Sequence, residues 1–165
     1  MAELLARVLL WHSKSSLAAE RLVDWNITSV TATHEMAISR LGTYRLAEYR
    51  AGSIIKTTTK LTANHAGHVE FRLCPLASKK DLETEDCFEK YPLRLKDGST
   101  SYKIPGKITG EIEIDLVLPD VKCEQCVLQW TYVTGNSWGI CEDGTGALGC
   151  GPQETFRTCS DISLS

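Results

Sequence analysis

Four histidines, seven cysteines and a run of alternating acids set the chemistry this chain can attempt. His65 and His68 stand three residues apart, close enough in sequence to suggest a shared metal ion. On a strand, residues three apart point to opposite faces, so the two rings would chelate only if a turn redirected one of them, and two separate histidines are expected. Glu111, Glu113 and Asp115 alternate with Ile112, Ile114 and Leu116. That pattern describes the solvated face of a half-buried strand, not the carboxylate pair of a hydrolase. No serine or cysteine stands where it reads as a nucleophile. The glycines around Trp138 and Cys150 lack the strand–loop–helix context of a phosphate-binding loop.

All seven cysteines lie between Cys74 and Cys159. Cysteines at this density usually form disulfides, and disulfides require an oxidising compartment. The competing reading is zinc held by Cys123 and Cys126 with two later cysteines. A zinc ribbon would need a second short pair, and Cys141, Cys150 and Cys159 are too widely spaced to supply it. The odd count leaves a free thiol, an intermolecular bond or a partner absent from this chain. Secretion is therefore expected, although the first residues, MAELLARVLLWHS, carry Glu3 and Arg7 inside the apolar run and no small-x-small cleavage site follows.

A net charge of -3 with dispersed basic residues excludes the concentrated positive surface that nucleic acid demands. No apolar run approaches the roughly 20 residues of a membrane-spanning helix. The length suits one domain with an appendage, here residues 1–45 followed by a domain over 46–165.

The elements that must position the chemistry follow from periodicity. Residues 2–23 carry apolar side chains near helical spacing, Asp24 to Thr33 is polar and β-branched without a clear pattern, and no helical pattern follows Tyr49. Ile54 to Thr62 is β-branched and alternating, Asn64-His65-Ala66-Gly67 reads as a turn, and His68 to Leu73 alternates again. Further strands are expected over Glu111–Leu118, Cys126–Val133 and Thr155–Leu164. A disulfide between Cys74 and Cys87 would staple the charged stretch between them. Several short strands separated by turns argue an antiparallel β-sandwich. Trp130 is expected in its core, with Trp138 also expected to be buried. A carbohydrate-stacking surface made of Trp130, Tyr132 and Trp138 is the alternative.

Two segments, CEQCVLQWTYVTGNSWGICEDGTGALGCGPQETFRTCSDISL and YRAGSIIKTTTKLTANHAGHVEFRLCP, resemble the chitin-binding type-4 domain, specifically the invertebrate branch of the lytic polysaccharide monooxygenases. Both occur in the family's order and cover about Tyr49 to Leu164. The resemblance implies an immunoglobulin- or fibronectin-like sandwich, a copper cofactor held in a histidine brace, and insoluble polysaccharide, chitin above all, as the partner of a secreted monomer. It places His65 at the second brace histidine, Phe156 at the axial aromatic, and Glu154 at a Gln or Glu that hydrogen-bonds oxygen species beside the metal. Without the resemblance, Phe156 reads as a core residue of the last strand and His65 as a structural turn residue. The family's other brace ligands belong to an amino-terminal histidine far upstream. This chain offers His12 and His34 there, neither after a good cleavage site, so that half of the brace is expected to be missing. Family members also carry further cysteines near the amino terminus, which would account for the odd count. Two functions stay open: an oxidative copper enzyme, or a carbohydrate-binding module or inactive fragment that keeps the sandwich without the chemistry.

Overall fold

Period-two alternation turns one face of each sheet inward, and two such faces closing on each other make the molecule. The structure is a computed structural model that describes residues 30–32, 47–78, 81–106 and 108–165. The strands, numbered in chain order, are β1 Val30–Ala32, β2 Ala47–Tyr49, β3 Ile54–Leu61, β4 His68–Leu76, β5 Arg94–Leu95, β6 Ser101–Lys103, β7 Gly110–Val117, β8 Cys123–Val133, β9 Trp138–Ile140, β10 Gly146–Leu148 and β11 Thr155–Leu164. One short helix, α1, spans Glu85–Lys90.

One sheet has the order β1-β3-β7-β5 and the other β2-β11-β8-β4-β6, while β9 and β10 form a separate hairpin. All pairings are antiparallel except β2 with β11, which is parallel. The five long strands expected from alternation are β3, β4, β7, β8 and β11. Val30–Ala32, within the stretch that shows no clear pattern in sequence, pairs with Thr57–Thr59. The helix expected over residues 2–23 lies outside the described residues.

Between the sheets, Ile55, Leu61, Ile112, Ile114 and Leu116 meet Val69, Phe71, Leu73, Leu128, Trp130, Tyr132 and Ile162 in one apolar core. Two threonines are buried with them. Thr57 Oγ1 donates to the Ile114 carbonyl at 3.0 Å, and the Trp130 indole N–H donates to Thr59 Oγ1 at 3.1 Å, so both of these buried hydroxyls have a partner. On the outer side of the first sheet Lys56 pairs with Glu113 and Lys96 with Asp115, which is the solvated acidic face read from the sequence.

The helix α1 is a correction to the expectation of no helix after Tyr49. Its six residues are too few to show a 3.6-residue period, and its ends carry the signal instead. Thr84 caps it by accepting from the Cys87 N–H, Glu85 and Asp86 occupy its first turn, and Lys90 its last. Phe88 anchors it against Cys74 and Val127 on the outer side of the second sheet. The Cys74–Cys87 disulfide fixes it there, as the stapled stretch predicts. Cys123–Cys126 and Cys141–Cys150 are also disulfides, so these cysteines bind one another instead of zinc. Cys159 is the thiol left over among the described residues. Cys159 is exposed as a residue, but partial shielding of its sulfur, with the neighbouring Glu83 charge adding to it, pushes that thiol up to about 11. No described helix is long and apolar enough to cross a membrane.

Candidate functional site

At one end of the sandwich the turn between β3 and β4 crosses the chain leaving β8. The crossing is close because both partners are glycine there. A Cβ on Gly67 would collide with the Val133 carbonyl, and one on Gly135 would press on the Gly67 backbone. Gly67 also sits at φ 80°, a conformation glycine reaches freely. Ala66 beside it has φ 55°, which is uncommon for a residue with a Cβ. Its surroundings hold it in place: the Ala66 N–H donates to Asn64 Oδ1 at 2.7 Å, and its carbonyl accepts from the Tyr132 hydroxyl at 2.7 Å. Asn64 is itself tied down, its amide donating to the carbonyls of Gly106 and Ile108.

His65 is carried by this turn. Its backbone N–H donates to the Tyr132 hydroxyl at 2.9 Å, and its carbonyl accepts from the Gly135 N–H at 2.9 Å. Burial raises the Tyr132 hydroxyl above its ordinary pKa, while the His65 N–H acts in the opposite direction. The hydroxyl therefore stays protonated near neutrality and can serve both bonds. On the side chain, Nδ1 of His65 lies 2.9 Å from the Asn136 amide nitrogen.

Phe156 and Glu154 reach the same end from the start of β11. Phe156 pairs with Tyr132 across the β8–β11 ladder, and their rings lie 6.0 Å apart at 30°. Tyr132 thus links Phe156 on one side to the His65 turn on the other. Phe156 also packs against the edge of the core, as its reading as a core residue of the last strand expects. Glu154 is exposed, and its carbonyl accepts from the Thr134 N–H at 2.9 Å. His68 belongs elsewhere: its Nε2 is 3.0 Å from Glu70 on the same strand, and the two histidines do not converge. Among the described residues no three His, Cys, Asp or Glu side chains come together as a metal site.

The fold and these contacts can be set beside known proteins. A family model described as lytic polysaccharide mono-oxygenase, cellulose-degrading, matches residues 9–162. The chain belongs to the lytic polysaccharide monooxygenase family. A solved structure similar to it is a lytic polysaccharide monooxygenase of the AA15 class from Thermobia domestica in the Cu(I) state, 47% identical, with a TM-score of 0.69. That similarity covers 72% of this chain and 62% of the other, so the chain spans less than two thirds of that relative's length. No curated protein sequence matches the chain.

Within this monooxygenase-family chain, three residues at the site were not singled out from sequence as site residues or as holding His65. Tyr132 was weighed only as a stacking ring. Asn136 meets His65 across 71 positions of sequence. Gln153 ties the two ends of the β9–β10 loop together, its Oε1 accepting from the Ser137 N–H and its Nε2 donating to the carbonyls of Ser137 and Cys150. The one advance signal was compositional: polar amide residues inside a glycine-rich loop. Trp138 differs from expectation, being 66% exposed, with Ile140 and Leu148 exposed beside it on the same face of the hairpin. Its ring lies over Gly146, where a Cβ would strike it.

Proposed function

We propose that this chain takes part in copper-dependent oxidative attack on an insoluble polysaccharide, chitin before cellulose, as a secreted monomeric domain. The observation that carries the reading is His65 pinned at both backbone groups, with one ring nitrogen engaged, beside Tyr132 and Phe156 at one end of a sandwich of this family. Three disulfides suit an oxidising compartment.

The donor chemistry fits copper at one position. A neutral imidazole is a good copper ligand, and Nε2 of His65 is the nitrogen left for it. One imidazole does not hold the metal alone, so the reading requires further nitrogen donors from outside the described residues. Copper bound there would supply the one-electron chemistry with oxygen or peroxide that hydroxylation of a glycosidic carbon needs. The chain's own residues do the rest. Tyr132 holds the His65 turn through its hydroxyl, Phe156 packs against the Tyr132 ring, and Glu154 stands exposed just before β11.

The test is to incubate the full chain, loaded with copper, with β-chitin and ascorbate under air. Oxidised oligosaccharides identified by mass spectrometry, lost in His65→Ala, are expected. Retention on chitin without such products supports a second reading, a non-catalytic carbohydrate-binding module, which the exposed Trp138, Ile140 and Leu148 face favours.

A further inference from the structure

We propose that Asn136 is the positioning residue that sets the tautomer of His65, its amide turning over so that the side-chain carbonyl accepts the Nδ1 proton and Nε2 keeps its lone pair. The inference draws its functional meaning from the copper reading above, but the hydrogen bond itself does not depend on a metal.

Both partners are held by backbone, which makes the contact more than a chance meeting of exposed groups. Asn136 follows Gly135, whose N–H donates to the His65 carbonyl at 2.9 Å, and precedes Ser137. Ser137 is clamped in turn: its N–H donates to Gln153 Oε1 at 3.0 Å, and its carbonyl accepts from the Gly149 N–H at 2.8 Å and from Gln153 Nε2 at 3.2 Å. The Gln153 amide is also anchored on the Cys150 carbonyl at 2.8 Å, next to the Cys141–Cys150 disulfide. The Asn136 backbone is therefore pinned on both sides, and His65 is pinned by Gly135 and Tyr132. The 2.9 Å contact between the two side chains joins two fixed points.

An amide presents a donor on one arm and an acceptor on the other, and the two arms are nearly identical in shape. The structure sets the nitrogen arm against Nδ1 at 2.9 Å, and in that arrangement the proton of a neutral imidazole sits on Nε2. With the oxygen arm there, the proton sits on Nδ1, and Nε2 keeps its lone pair. Asn136 is exposed, so solvent satisfies whichever arm faces away, and turning the amide over costs no other bond. A metal-binding histidine is ordinarily fixed in this way through its second nitrogen, usually by a carboxylate, a backbone carbonyl or water. Here Asn136 stands in that place, and turning its amide over brings the side-chain carbonyl to Nδ1.

The experiment is nitrogen NMR of the full, metal-free chain with 15N-labelled histidine, at about pH 8.5, two units above the ordinary imidazole value. The expected His65 signals are a protonated-type Nδ1 and an unprotonated-type Nε2. Asn136→Ala should return the ring to a mixture rich in the Nε2–H form. Asn136→Asp, whose carboxylate can only accept, should keep the Nδ1–H form. A wild-type ring protonated on Nε2 overturns the proposal, and so does a tautomer unchanged in Asn136→Ala. Loss of the Nδ1–H form in both variants also overturns it, since that would mark a merely structural role. Copper titration of the same proteins separates the two inferences. Asn136→Ala is expected to weaken binding by about 10- to 100-fold. If the tautomer behaves as stated and wild-type protein binds no copper, the positioning role stands and the copper reading falls.

Discussion

The strand β8 runs through two regions that are held together by different means. From Cys126 to Tyr132 it lies in the sandwich, where Leu128 and Trp130 are buried in side chains from both sheets. Beyond Val133 it enters the end of the molecule, where backbone bonds, the Gln153 amide and the Cys141–Cys150 disulfide do the holding, and large apolar side chains stand in solvent. In the first region stability follows from area removed from water. In the second it follows from a few directional contacts, and side chains such as Trp138 stand in solvent. The change takes place at Tyr132, whose ring is core and whose hydroxyl bridges the His65 turn.

If that contrast is real, a core truncation must act globally and a loop break locally. Trp130→Ala removes the largest ring between the sheets and leaves Thr59 without its indole donor. It should cost about 3–5 kcal/mol, read as a large shift in the urea midpoint. A loss under 1 kcal/mol would mean that the core is not packed as described. The double substitution Cys141→Ser with Cys150→Ser should cost less, about 2.5 kcal/mol by loop-closure entropy for a ring of roughly ten residues. Its signature should be a change in Trp138 emission that precedes global unfolding. A single cooperative transition shared by both probes would show that the loop end is not the separate region drawn here.

The same contrast explains what could be read from sequence. Strands β3, β4, β7 and β11 were legible because one face of each is more deeply buried, which imposes alternation on the residues themselves, whereas β8 is buried on both faces from Cys126 to Tyr132. The hairpin β9–β10 was not legible, since three-residue strands such as Trp138–Ile140 are too short to alternate. Trp138 was expected to be buried because tryptophan usually is. The glycine that lets its ring lie on the outer surface is eight positions away, across a turn that composition does not reveal. His65, Glu154 and Phe156 were located by resemblance. Asn136 and Tyr132 reach His65 across 71 and 67 positions, and only the folded chain brings them together.

The central claim is that His65 presents a nitrogen ligand at this end of the sandwich. Electron paramagnetic resonance of the full chain with one equivalent of Cu(II), comparing 14N- and 15N-labelled histidine, tests it most directly. Coupling from an imidazole nitrogen that is lost in His65→Ala, while the variant keeps its urea midpoint, is the predicted result. Copper spectra that are identical in the wild type and in folded His65→Ala would contradict the account.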